Sequence, residues 1–415
     1  MKKHTQTRIG RATGALAVLL VTATLSACLD SDEAFIIEPE GGALFARYVS
    51  LGNSITAGFQ SGGINVDLQR QAYPVLLAER AGAPFGIPAL ARPGCPPPLV
   101  GPLTTERISD ETICALRIIT SPPVVQNLAV PGADVSDVSD PIGTGTTLNT
   151  LILGGRTQIQ AMIDAEPSLV SVWIGANDVL SASLGGEPAL MTPLADFQED
   201  YGAIVDGIQR TPAQEAILIS VPNPMLAAPA LQPGAYFWAL AQNPPPGLPT
   251  LAVSDNCAPF TGTGTPNPGG AHLVSFLAVA AQIEAGADPV IVDCSEATPG
   301  VLSLAEQAAI AQRVGEFNAY IQQQADANDW IYVDFNTAYL QPVLTEPDNL
   351  RKCQLLPTAT TPAEFAAAVQ ASCPVDLNPA TEQTFFGDYI SFDGIHPSAA
   401  GHAVIADTLA GRLGL

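Results

Sequence analysis

Apolar and β-branched residues recur in short runs at 48–51, 124–130, 169–174, 216–221 and 330–335. Longer stretches between or after them, at 72–81, 156–165, 196–210, 304–328 and 399–413, carry the mixed pattern of amphipathic helices. Strands that alternate with helices predict an α/β fold in which a parallel sheet is covered on both faces, and five strands suffice. Three segments near 82–123, 223–300 and 336–388 fall outside this alternation. Their Pro and Gly density argues against a second hydrophobic core. There is no internal repeat, and no charge run or low-complexity linker follows the N-terminal region.

That region reads as a targeting segment. Lys2, Lys3, Arg8 and Arg11 precede an apolar stretch at 15–25, too short for a membrane span, and a zone of small residues follows. Leu25-Ser-Ala-Cys28 resembles a bacterial lipobox, in which the cysteine is lipidated after cleavage just ahead of it; the plainer alternative is an ordinary secretory signal. The expected division is a signal peptide over 1–27, a tether over 28–44 and one catalytic domain with inserts over 45–415. The expected location is the cell envelope, with a membrane contact through a lipid on Cys28. Leu29 carries no acidic retention signal, so an outer-membrane address is the reading to test.

With 16 basic and 40 acidic residues the net charge is -24, and a nucleic-acid partner is excluded. Removing the leader takes away four basic residues and makes the charge -28. Only 13% of residues are charged, and 47% hydrophobic content allows a substantial core. Once Cys28 is set aside, Cys95, Cys114, Cys257, Cys294, Cys353 and Cys373 form an even set in an oxidising compartment. Fifteen connectivities are open to six cysteines. Neighbours share one irregular stretch each, which favours Cys95 with Cys114, Cys257 with Cys294, and Cys353 with Cys373. No CxxC or HExxH spacing supports zinc, and neither a metal nor a cofactor is expected.

The run Tyr48-Val-Ser-Leu51 ends at Gly52, so Asn53 and Ser54 stand at the carboxyl end of a strand, where open α/β sheets gather their chemistry. A serine hydroxyl needs a base within reach and a third group to orient that base. Asp393 and His396, three residues apart near the C-terminus, can meet within one turn and supply both. His272, beside a Gly-Pro loop, reads as a surface or capping residue, and His402 as a residue of the last helix. Gly132, after the second run, offers a backbone N–H without a side chain in the way. Gly175 permits close approach after the third, and Asn177 adds an amide donor. Together with the Ser54 N–H these groups form a candidate oxyanion hole.

In chain order, Gly-Asn-Ser, Gly132, Gly-x-Asn-Asp and Asp-x-x-His resemble the SGNH/GDSL hydrolases, a family of esterases and lipases. The resemblance implies a three-layer α/β/α sandwich of flavodoxin-like type around a five-stranded parallel sheet. It also implies Ser54 as nucleophile, His396 and Asp393 as its partners, and Ser54, Gly132 and Asn177 as oxyanion donors. Asn53 and Ile55 replace the Asp and Leu of Gly-Asp-Ser-Leu, which puts local polarity in question. The implied activity is cleavage of carboxylic esters, among them acetylated polysaccharides and lysophospholipids. A catalytically silent surface-binding lipoprotein on the same fold is the alternative. The inserts match no known pattern; the expectation is a disulfide-stapled canopy over Ser54 whose Phe237, Trp238, Phe260 and Leu355 line an ester pocket or pack the inserts onto the scaffold.

Overall fold

The computed structural model describes residues 41–102, 104–111, 114, 124–140, 147–244, 248–262, 264–340, 359–372 and 386–415. The leader, Cys28, Cys353, Leu355 and Cys373 lie outside the described residues.

Four strands form the central sheet, in the order β1 (Tyr48–Gly52), β2 (Leu169–Trp173), β3 (Glu215–Ile219) and β9 (Ile331–Val333), all parallel. Every residue of β1 and β2 is buried, as expected of parallel strands covered on both sides. Because successive side chains face opposite ways, Val49, Leu51, Val170, Val172 and Leu218 enter one core. There they meet the helices Gln158–Ala165, Leu194–Gln209 and Leu304–Ala327 through Met162, Phe197, Ile204 and Phe317. Tyr48, Leu169, Trp173, Ile217 and Ile219 enter the other core, against the helices Tyr73–Arg80 and Ala399–Leu413. Three layers result. All five helices predicted from the pattern are present. Their starts are set locally: Ser303 and Glu306 form a reciprocal capping box, and Ser398 caps the last helix through the Gly401 N–H.

The run at 124–130 differs from the expected fifth strand. It lies parallel to β1, with the Ser50 N–H donating to Gln126 O at 2.9 Å, the Leu128 N–H to Ser50 O at 2.9 Å and the Val130 N–H to Gly52 O at 3.1 Å. Only one ladder bridge, Ser50 with Asn127, results. The reason is a side chain. The buried Gln158 amide accepts the Gly52 N–H and donates to Gly52 O, both at 2.9 Å, so the N–H that would extend the ladder is already engaged.

The segment at 223–300 overturns the expectation of no second core. It builds an antiparallel sheet in the order β4 (Leu231–Pro233), β6 (Leu273–Ser275), β8 (Val301–Leu302), and a parallel pair of β5 (Leu251–Val253) with β7 (Val290–Val292). Tyr236, Phe237, Val274, Phe276 and Val292 form a separate cluster with Phe365 and Phe386. Strands of two or three residues are too short to leave a period in the sequence, while the aromatic side chains supply enough apolar surface to pack. Disulfides Cys95–Cys114 and Cys257–Cys294 form as expected. His272 is not on the surface. It is buried in this segment with Nδ1 2.8 Å from Cys294 O.

Candidate active site

Beyond β1 the chain enters a single helical turn, Ser54–Ala57, capped by the Asn53 side-chain oxygen on the Ile55 N–H at 3.1 Å. The capping atom is a carbonyl oxygen. Asp would offer the same acceptor, so the substitution that departs from Gly-Asp-Ser-Leu preserves the turn that presents Ser54.

The Ser54 hydroxyl lies 2.8 Å from His396 Nε2, and His396 Nδ1 lies 2.8 Å from Asp393 Oδ2. The three residues are thus one hydrogen-bonded chain, although 342 positions separate its first and last links. Asp393 is held from all sides. Its Oδ1 accepts the Ile395 and His396 N–H groups, each at 2.9 Å, and the Ser391 hydroxyl at 3.2 Å; its Oδ2 also accepts the Gly62 N–H at 2.7 Å. Burial pushes this carboxyl up, but the neighbouring His396 charge and the hydrogen bonds from His396 and Ile395 outweigh it and bring the pKa to about 2. An ionised Asp393 can only accept. The His396 proton therefore sits on Nδ1, and Nε2 is left to accept from Ser54. The Phe59 ring packs on the imidazole with centroids 4.9 Å apart.

Asn177 opens the helix Asn177–Gly185, and its amide donates to Ala133 O at 2.7 Å. The adjacent Asp178 accepts the Val135 N–H at 3.1 Å. Gly-x-Asn-Asp thus fastens the loop that carries Gly132, whose φ of +87° suits a residue without a Cβ. Burial raises the Asp178 carboxyl to about 7. Ser54, Asn177 and His396 line one apolar cavity of about 40 Å³, walled by Ile55, Leu180, Pro224, Ala227, Tyr339 and Ile395. Gly132 is not on its wall. Neither are Phe237, Trp238 and Phe260, which instead belong to or pack against the core of the second insert. A larger cleft of about 730 Å³ opens beside Cys95–Cys114 and contains none of Ser54, His396 or Asp393; the hydrogen-bonded chain, not cleft size, locates the site.

Sequence reading missed Gly62, Ser391 and Phe59. A backbone N–H has no sequence signature, and only the DxxH spacing marked that loop.

His402 is buried in the last helix, where its Nδ1 accepts the Tyr73 N–H at 3.3 Å. Burial and the charge of His396 lower its pKa to about 3, so it is a neutral packing residue.

A family model described as GDSL-like Lipase/Acylhydrolase matches residues 48–409. Among solved structures, the acetylxylan esterase Axe2 from Geobacillus stearothermophilus is similar at 13% identity, with 89% of this chain and 94% of that one covered and a TM-score of 0.37. A GDSL-like lipase from Parabacteroides merdae is similar at 12% identity, with 88% and 94% covered and a TM-score of 0.34. No curated protein matches the chain.

Proposed function

We propose that this chain, which belongs to the GDSL-like lipase/acylhydrolase family, is an exported serine esterase that works through an acyl-enzyme. The observation that carries the reading is the chain Ser54–His396–Asp393, with both links at 2.8 Å. Ser54 Oγ attacks the ester carbonyl while His396 Nε2 takes its proton. Asp393 holds the imidazole in the required tautomer and stabilises its charged form. The oxygen that gains negative charge receives the Ser54 and Gly132 N–H groups and the second Nδ2 proton of Asn177. His396 then protonates the departing alkoxide, leaving Ser54 acylated. Water, deprotonated by the same nitrogen, attacks the acyl carbon and releases the acid.

The small apolar cavity beside Ser54 favours short acyl groups, including acetyl groups on carbohydrate, over long chains. A silent binding protein loses its one support, because Asn53 acts as a cap whether or not it is charged. Residues 1–27 are proposed as a lipoprotein leader, 28–44 as a tether and 45–415 as the hydrolase domain with its inserts, anchored to the envelope through Cys28.

Hydrolysis of p-nitrophenyl acetate by the wild type, and its loss in Ser54→Ala, is the test. A Ser54→Ala protein of near-normal activity overturns the reading.

A further inference from the structure

The chain 61–63 makes a tight turn between the catalytic loop and the first insert. Ser61 has a φ of +51°, uncommon for a residue with a side chain, so its surroundings hold it there. On one side, the turn binds the loop that carries Asp393. The Gly62 N–H donates to Asp393 Oδ2 at 2.7 Å, and the Ser61 N–H donates to Ser391 Oγ at 2.8 Å, whose own proton goes to Asp393 Oδ1. The Phe392 N–H returns to Ser61 Oγ at 3.2 Å.

On its other side, the insert grips the turn. The Leu99 N–H donates to Ser61 O at 2.8 Å, the Ile64 N–H to Pro96 O at 3.0 Å, and the Cys95 N–H to Ile64 O at 2.8 Å. Arg107 Nη1 donates to Gly62 O at 2.7 Å and also to Pro97 O. Gly63 fits because it has no side chain: a Cβ there would stand 2.5 Å from Pro98 N and 2.6 Å from Pro96 O. Cys95, in the same stretch, is tied to Cys114.

We infer that Arg107 is a positioning residue for the reaction, acting through Gly62 to hold the Asp393 carboxylate where it orients His396. The Ser61 carbonyl and the Gly62 N–H belong to one peptide unit. A donor on that carbonyl, the Leu99 N–H, therefore strengthens the bond to Asp393, and the guanidinium on the next carbonyl fixes the plane in which the N–H points. The first insert thus acts on the reaction from behind Asp393 rather than over Ser54. The kinetic part of the inference rests on the esterase reading above.

The test compares Arg107→Met and Arg107→Lys with Arg92→Met, which removes an exposed partner of Asp67 in the same insert. Arg107→Met is expected to lower kcat for p-nitrophenyl acetate by about 10–10²-fold, the scale of a misplacement of about 1 Å, with KM nearly unchanged. Arg107→Lys recovers part of the loss, and Arg92→Met loses nothing. The low-field proton resonance of His396 Nδ1–H against Asp393 is expected to move or broaden in Arg107→Met alone. That resonance is readable even in a protein that turns over no ester, so failure of the esterase reading is distinguished from failure of this one. If Arg107→Met does not fold, Ser391→Ala, which removes the relay from the Ser61 N–H, is expected to move the same resonance. A folded Arg107→Met protein with wild-type kcat overturns the inference; so does one with lowered kcat and an unmoved resonance, or a Ser391→Ala resonance that stays in place.

Discussion

The Asn177 side chain donates to Ala133 O at 2.7 Å, so an amide at the end of β2 fixes the loop that leaves the edge run beyond β1. One Nδ2 proton is used in this way and the other remains for a ligand. Asn177→Ala is expected to lower kcat by about 10²–10³ while KM changes less, because an oxyanion donor acts mainly in the transition state. Steady-state kinetics on p-nitrophenyl acetate decide it: a change confined to KM would make Asn177 a substrate-binding residue instead.

Ser54→Ala and His396→Ala are each expected to reduce turnover by about 10³-fold or more, and the double variant by little beyond either, since the two act as one unit. Circular dichroism should find both variants folded. Additive losses would mean that the 2.8 Å contact between them does not carry the proton.

Two buried groups oppose each other in their effect on stability against pH. Asp178, raised by burial to about 7 from 3.8, keeps its proton in the folded state over a range where the unfolded chain has lost it, so raising the pH through that window removes stability. His402, lowered by burial to about 3 from 6.5, stays neutral while the unfolded chain takes up a proton, so stability rises with pH through nearly the same window. The wild-type Tm should therefore vary little between about pH 4 and about pH 6.5 on account of these two. Asp178→Asn is expected to expose a Tm that rises with pH, and His402→Gln one that falls. Scanning calorimetry across that range tests both signs, and equal slopes in the two variants would refute the assignment.

The second insert carries its own core, and its aromatic residues stay away from the cavity wall. Cys257→Ser with Cys294→Ser opens a link spanning 37 positions and is expected to lower stability by about 4 kcal/mol in the chain-entropy model. The preference between acetate and octanoate esters should stay fixed. Ala227→Leu, on the cavity wall, is expected to act in the reverse manner and reduce kcat/KM for the longer acyl ester with little loss of stability. Chemical denaturation and an acyl-length series separate the two effects; selectivity that followed the disulfide would restore a canopy role to this insert.

Radiolabelled palmitate is expected in the wild type expressed in a bacterial host and absent from Cys28→Ala. Each buried CH₂ of an attached lipid contributes about 0.8 kcal/mol of membrane affinity, so fractionation should follow the label. An unlabelled, freely soluble wild type in a host that processes lipoproteins would leave ordinary secretion.

The alternation of strands and helices was legible because each element carries its own period. Five helices follow from spacing that repeats within a few residues, and Ser303 with Glu306 or Ser398 with Gly401 sets their starts over three positions. Asp393 and His396 were legible for the same reason: their contact closes within one turn. Where a single side chain intervenes, the pattern fails. The run at 124–130 has the composition of a strand, yet the Gln158 amide occupies the Gly52 N–H that would pair with it. In the second insert, strands of two or three residues leave no period to detect, so its core became visible only through packing.

What the sequence by itself determined is which groups can do chemistry: a serine after a strand, an imidazole with a carboxylate three residues away, and an asparagine amide after another strand. Tertiary structure alone decided what holds them in place. The Gly62 N–H reaches Asp393 across 331 positions, and Arg107 reaches Gly62 across 45. A backbone N–H looks the same at every position of a sequence, and a carboxylate accepts from whichever donor the fold brings near, so contacts of this kind have no local pattern and exist only once the chain has closed on itself.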